Sequence, residues 1–193
     1  MVVFGSLLER TESGLYCPAG DFYVDPWAPV ARAVVTHGHA DHARRGSEAY
    51  LTASRGMDIL RIRLGADARI EGLPWGEART LGSVRVSLHP AGHILGSSQV
   101  RIEHRGQVCV ITGDYKRHSD PTVTPFEPVR CHALVTESTF GLPVFRWPDP
   151  DGEIGELNRW WRQNRDDERT SLVYAYSLGK AQRVLAGLDP SIG

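Results

Sequence analysis

Three histidines and one aspartate fall within six positions in Thr36-His37-Gly38-His39-Ala40-Asp41-His42. Imidazole nitrogens and carboxylate oxygens are the ligands that zinc, manganese and iron accept. His37 and His39 can reach one ion while Asp41 and His42 turn towards a second, and the small Gly38 and Ala40 let the loop fold tightly. With eight His and twelve Asp in 193 residues, an H-x-H-x-D-H match arises by chance in about one such chain in a thousand. A merely His-rich surface loop is the bland alternative and carries little weight. One loop cannot complete two sites. His93, in Pro90-Ala91-Gly92-His93-Ile94-Leu95-Gly96-Ser97, and Asp114, in Thr112-Gly113-Asp114-Tyr115, each follow a strand-like run. Loops at strand ends are where functional side chains are usually mounted. Asp114 can bridge two cations with its two oxygens. Lys116 and Arg117 follow it closely and could touch a phosphate, although a solvated basic turn explains them equally well.

The elements that must position these residues are readable from periodicity. Ala33–Thr36 is a compact β-branched run, a buried strand leading straight into the His/Asp loop. Short strands are also expected at Asp21–Asp25 and Ala49–Thr52. Ser54–Leu64 sets Met57, Leu60 and Leu64 at helical spacing and stops at Gly65. From Ala68 to Asp114 the pattern is β: Val84–Leu88 and Val100–Glu103 alternate, and Arg105-Gly106 is a hairpin turn leading into Val108–Thr112. Ala133–Thr136 forms a strand before Glu137. Beyond a Pro-rich patch come a helix near Ile154–Gln163, a strand Ser171–Tyr176 and a helix Gly179–Leu188. The switch from β-rich to alternating pattern near Leu142–Pro150 is the expected domain boundary.

Bulk composition constrains the class. The chain is 41% hydrophobic and 23% charged with net charge −1, an ordinary globular balance that gives no electrostatic case for a polyanionic partner. Twenty Arg stand against two Lys; Arg is the better fork for phosphate oxygens, yet a coding bias accounts for it as well. Cys17, Cys109 and Cys131 form no C-x-x-C pair, which speaks against a disulfide framework and for a reducing, cytoplasmic setting. No apolar run approaches the ~18–20 residues of a membrane span. The first ten residues carry Glu9 and no basic stretch ahead of an apolar one, so no secretory leader is expected. His89, His104, His118 and His132 lie scattered. His89, four residues from His93, is the one placed near the expected site. Of the adjacent Trp160 and Trp161, at least one is expected to pack.

The loop His37–His42, the Gly-His-x-x-Gly-Ser run at His93 and the Gly-Asp at Asp114 resemble the successive metal motifs of the metallo-β-lactamase superfamily. Glu137-Ser138-Thr139-Phe140-Gly141 resembles the acidic first motif of its β-CASP branch, whose members are nucleases. Gly14 through Pro18, Asp25-Pro26-Trp27 and Ser177 through Gln182 are most similar to bacterial DNA exonucleases associated with ATP-dependent DNA ligases. The resemblance implies an α/β fold, an αββα sandwich over residues 1–141, followed at 142–193 by the incomplete beginning of an α/β β-CASP domain. It implies that His37, His39 and His93 hold one metal, that Asp41 and His42 hold another, and that Asp114 bridges. Asp41 would also orient a hydroxide, and Glu137 would orient a general-acid histidine. Two divalent ions, Zn2+ or alternatively Mn2+, would be the cofactors. Nucleic acid would be the partner, DNA ahead of RNA, with an ATP-dependent DNA ligase and a helicase as companions in DNA repair and no membrane.

The implied general-acid histidine and last histidine ligand lie further on in family members, and no His follows His132. The chain is therefore expected to be an amino-terminal portion or a shortened relative, binding metal incompletely and cleaving poorly when it ends at Gly193, with Ser171–Leu188 making few contacts. The expected chemistry is two-metal phosphodiester hydrolysis. An RNA-processing β-CASP ribonuclease, a thioesterase- or lactonase-type hydrolase and a non-catalytic metal-binding relative remain alternatives. The acidic Glu137 motif followed by α/β alternation argues against the second, and the intact ligand set against the third.

Overall fold

A computed structural model describes residues 3–4 and 7–193. Met1, Val2, Gly5 and Ser6 lie outside the described residues, and the leader expectation falls partly on them. The chain divides into two compact units, Met1–Glu137 and Ser138–Gly193.

The first unit holds two sheets. One runs in the order β1 (Val3–Phe4), β2 (Leu8–Thr11), β3 (Gly14–Cys17), β4 (Phe22–Val24), β5 (Arg32–Val34), β6 (Ala49–Ala53), β7 (Ile70–Leu73). Its first four strands form an antiparallel meander, and β4 to β7 pair in parallel. The other runs β12 (Ala133–Val135), β11 (Gln107–Ile111), β10 (Ser98–His104), β9 (Val84–Pro90), β8 (Ala78–Leu81), antiparallel except for the β11–β12 pair. Arg105 and Gly106 both take positive φ, 50° and 79°. That is the mirror-image turn whose twist matches a two-residue hairpin, and it joins His104 to Gln107.

Period-two alternation sorts the side chains. Val24, Val34 and Leu51 from the first sheet meet Val86, Leu88, Val100, Ile102 and Ile111 from the second in one buried core. Fully burying each of the larger ones contributes roughly 1.5–3 kcal/mol. The odd-numbered neighbours Ala33 and Val35 face the other way. There they pack with Leu60 and Leu64 of α1 (Met57–Leu64), which follows a 3-10 turn at Ser54–Gly56. A helix thus covers the outer face of the first sheet, and Gly65 ends it with φ of 104°. Cys17 and Cys109 lie in the core and all three cysteines are free thiols. Burial pushes the Cys109 thiol up to about 11, as suits a small core residue rather than a nucleophile.

The outer side of the second sheet meets the segment after Asp114. Gln99 donates to the carbonyls of Pro90 and Glu127, and Glu127 N–H donates to Pro90 O. His89 spends its ring here, 3.1 Å from both Ser87 Oγ and Glu127 Oε1.

The second unit contains α2 (Pro150–Asp166), with Pro150 at its first position, and α3 (Lys180–Gly187). Asn158 on α2 donates to Gly187 O and accepts from Asp189 N–H. Ile192 is buried, and Trp161 lies against Gly193 while Trp160 is exposed. The strand expected at Ser171–Tyr176 does not form. Its β-rich composition is real, but among the described residues of this unit no second strand exists to complete a ladder, and Tyr174 is 93% exposed. A strand is defined by its neighbour as much as by its own residues.

Candidate metal centre

The His/Asp loop begins where β5 ends, and its shape is imposed from two sides. Ile59 of α1 presses on Gly38, where a Cβ would lie 2.4 Å from Ile59 Cγ2. Arg63 Nε donates to Gly38 O at 3.2 Å. Beyond Gly38 the chain turns helically, Ala43 N–H donating to His39 O. Ser98 N–H reaches across to Thr36 O, tying the start of β10 to the loop. Ser97 Oγ accepts the N–H groups of His93 and Ile94 and so shapes the turn that presents His93. Gly113 has φ of 54°, and a Cβ there would sit 2.7 Å from Thr36 Cβ. Only glycine permits this approach, which carries Asp114 up to the loop.

The donor atoms then fall into two groups. His37 Nε2 and His93 Nε2 stand 3.0 and 3.2 Å from His39 Nδ1, and 3.8 and 3.6 Å from Asp114 Oδ2. All four donors lie within 4.8 Å of one another. A tetrahedral zinc ion with Zn–N near 2.05 Å has ligand–ligand edges of about 3.3 Å, so the observed spacings bracket that value. The second group is His42 Nε2, 3.7 Å from Asp41 Oδ2 and 3.3 Å from Asp114 Oδ1. Asp114 offers one oxygen to each group. Imidazole nitrogens crowded this closely must share protons or converge on a cation, and the donor chemistry suits a divalent ion.

Two partners that sequence reasoning missed orient the rings. Asp25, just after β4, accepts Thr36 N–H at Oδ1 (2.8 Å) and both Thr36 Oγ1–H and His42 Nδ1–H at Oδ2 (2.6 and 2.7 Å). Thr36 has one hydroxyl proton, and giving it to Asp25 leaves its oxygen to accept from His37 Nδ1 at 3.0 Å. Both rings therefore hold a proton on Nδ1 and aim Nε2 inward, bare in the neutral His37, which is how outer partners set a ligand's orientation. In the sequence Asp25 closes a short strand before a Pro and belongs to the Asp25-Pro26-Trp27 run of the family resemblance. Nothing there pairs it with a histidine seventeen positions on.

Electrostatics follow from burial. Burial, then the charges of His42 and His93, hold His37 down to about 2. Burial likewise lowers His93 against the pull of Asp114. Burial also opposes charge on His42, but its hydrogen bonds to Asp114 and Asp25 prevail and raise it to about 10. The His42 hydrogen bond, followed by the neighbouring imidazoles, brings Asp114 down to about 2 against its own desolvation. Without a cation the site is thus a protonated His42 clamped between two carboxylates beside neutral His37 and His93.

Glu137 lies at the same cleft and accepts Tyr115 N–H at 3.2 Å. Lys116 is drawn elsewhere: its ammonium pairs with the buried Asp120, which also binds Thr122. Arg117 is exposed. His89 is held by Ser87 and Glu127, and His132 Nδ1 accepts Val108 N–H. These lie outside both donor groups.

No protein-family profile matches the chain. It is 32% identical over 184 residues to a protein of Opitutus terrae named "Probable DNA ligase", covering 92% of this chain and 18% of that one. It is 33% identical over 130 residues to Endoribonuclease ysh-1 of Neurospora crassa, covering 62% of this chain and 14% of that one. The solved structure of metallo-β-lactamase SMB-1 is similar with a TM-score of 0.40 at 19% identity, over 50% of this chain and 55% of that one. The chain thus spans less than a fifth of the length of the two sequence relatives. The metal motifs of the His37–His42 loop, His93 and Asp114, the acidic Glu137 run and these sequence relatives agree: the chain belongs to the metallo-β-lactamase superfamily, in its β-CASP branch.

Proposed function

We propose that this chain carries the metal-binding half of a nuclease that hydrolyses phosphodiester bonds, with DNA as substrate and an exonuclease role beside an ATP-dependent ligase. The observation that carries the reading is the pair of donor groups sharing Asp114. His37, His39 and His93 would hold one cation, Asp41 and His42 a second, and Asp114 would serve both. Two divalent ions bound there, zinc by the His-rich donor set, would supply Lewis acidity and a water acidic enough to attack at neutral pH. The chain's own part is positioning. Asp25 and Thr36 accept at the Nδ1 side of His42 and His37 and so aim both Nε2 atoms inward, and Asp41, the most exposed of the carboxylates at 74%, would accept a proton from an attacking water. Glu137, which lines the same cleft, would hold a donor for the leaving group. Similarity to a protein named as a DNA ligase along 92% of the chain favours DNA. The shorter match to an endoribonuclease supports RNA as the second reading.

The test is cleavage of matched, end-labelled DNA and RNA oligonucleotides with added zinc or manganese, by the protein and its His39→Ala variant. Metal-dependent release of nucleotides from a DNA end, lost in the variant, is the expected result. Cleavage that survives both chelation and His39→Ala would refute the reading, and faster cleavage of RNA would exchange the two substrates.

A further inference from the structure

Beside the two donor groups the first unit has a cleft of about 360 Å³, and Trp27 and Arg44 line it together with Asp41, His42 and Asp114. Neither enters the metal chemistry, and neither belongs to the core: Trp27 is 46% exposed, a large apolar surface left open to the cleft and solvent. Its backbone is nevertheless fixed. Trp27 N–H donates to Ser13 O at 2.8 Å, and Trp27 O accepts Arg44 Nη1 at 3.2 Å. Arg44 Nε donates to Asp41 O at 3.3 Å, so one guanidinium spans from the indole's backbone to the loop that carries Asp41 and His42. Two of its five N–H groups are used this way, and among the described residues the others are left to meet an anion. Arg10 sits over the indole ring at 5.5 Å from its centroid, adding a second positive charge.

An exposed, backbone-anchored indole next to a braced guanidinium, opening on a hydrolytic cleft, has the chemistry of a nucleotide subsite. Indole faces stack on any base, and a guanidinium forks onto phosphate oxygens. We propose that Trp27 stacks on a base of a single-stranded nucleic acid while Arg44 holds a neighbouring phosphate, setting the strand's register against Asp114. This rests on the nuclease reading and adds its strand-holding residues. The carboxylates of Asp25, Asp41 and Glu137 line the same cleft, so Arg44 and Arg10 also offset their repulsion of a polyanion.

The experiment reads binding rather than turnover. Anisotropy titrations compare a labelled oligothymidylate with an abasic strand of equal phosphate number, for the protein, Trp27→Leu, Trp27→Phe and Arg44→Gln. Metal content and circular dichroism confirm that each variant is folded and loaded like the parent. One base–indole stack supports an expectation of about tenfold tighter binding to the base-bearing strand. Trp27→Leu should erase that preference and Trp27→Phe retain most of it. Arg44→Gln should weaken both strands alike and lower the salt dependence by about one phosphate contact. A parent without base preference, a Trp27→Leu protein that keeps it, or an Arg44→Gln protein with unchanged salt dependence would each overturn the proposal. Because no cleavage is measured, those failures leave the hydrolytic reading standing. Absent cleavage with an intact base preference would count against that reading alone.

Discussion

Replacing Asp25 by Asn keeps the side chain's shape and removes its charge, and the hydrogen bonds around it dictate the consequence. Oδ2 of Asp25 accepts from Thr36 Oγ1 and His42 Nδ1, at 2.6 and 2.7 Å, while Oδ1 accepts the Thr36 amide. An asparagine can keep the amide bond through its own Oδ1, but its NH2 then faces two donors. The conflict is relieved only if His42 gives up its Nδ1 proton and keeps the one on Nε2, the atom turned towards Asp41 and Asp114. A metal taking Nε2 would force a proton back onto Nδ1 against the amide NH2, whereas in the parent Asp25 accepts the Nδ1 proton throughout. Partners of this kind are worth about 10–100-fold in metal affinity, or roughly 1.4–2.8 kcal/mol. The metal-free fold loses hydrogen bonds to a charged acceptor, each contributing about 1.5–3 kcal/mol. The assay is a chelator-competition titration with zinc, paired with urea unfolding of the metal-free protein. Affinity at the weaker site should fall at least tenfold in Asp25→Asn. It should fall less in Asp25→Glu, whose carboxylate still accepts from both donors. Affinities within twofold of the parent would refute the tautomer argument.

His37→Ala combined with His39→Ala should remove at least one metal equivalent by elemental analysis, and an unchanged stoichiometry would contradict the first donor group. His42, raised to about 10 by its carboxylate neighbours, stabilises the metal-free fold below its unfolded pKa, near 6.5. That contribution is lost as pH rises through about 10, and a metal entering near pH 7.5 must displace the proton. Calorimetry in buffers of different ionisation enthalpy should therefore report release of about one proton, and zero release would be inconsistent with a protonated His42. Gly113→Ala should cost roughly 1–3 kcal/mol in urea unfolding through its positive φ and its clash with Thr36 and also weaken metal binding. An unperturbed protein would mean that β11 does not have to approach the loop so closely.

Much of the architecture, and the candidate donors that the fold gathers within 4.8 Å of one another, could be read from the sequence, because each rests on local information. Strand periodicity foretold β9, β10 and β11, the Arg105-Gly106 turn foretold their hairpin, and Gly65 foretold the end of α1. The loop His37–His42 announced itself through residue types that are improbable together without a cation to hold. Pairings across the chain were not legible. Asp25 and His42 meet only because β4 lies beside β5, and Thr36 becomes a relay only because Gly113 allows β11 to close on it. Lys116 read equally as a phosphate contact or a solvated turn, and neither reading named Asp120, the buried partner four residues on with which its ammonium pairs. Ser171–Tyr176 had the composition of a strand and no neighbour to pair with. Spacing along a chain fixes which groups exist and which local turns they prefer. Which lone pair faces which proton depends on backbones brought together from distant segments, and that is decided only when the sheets pack.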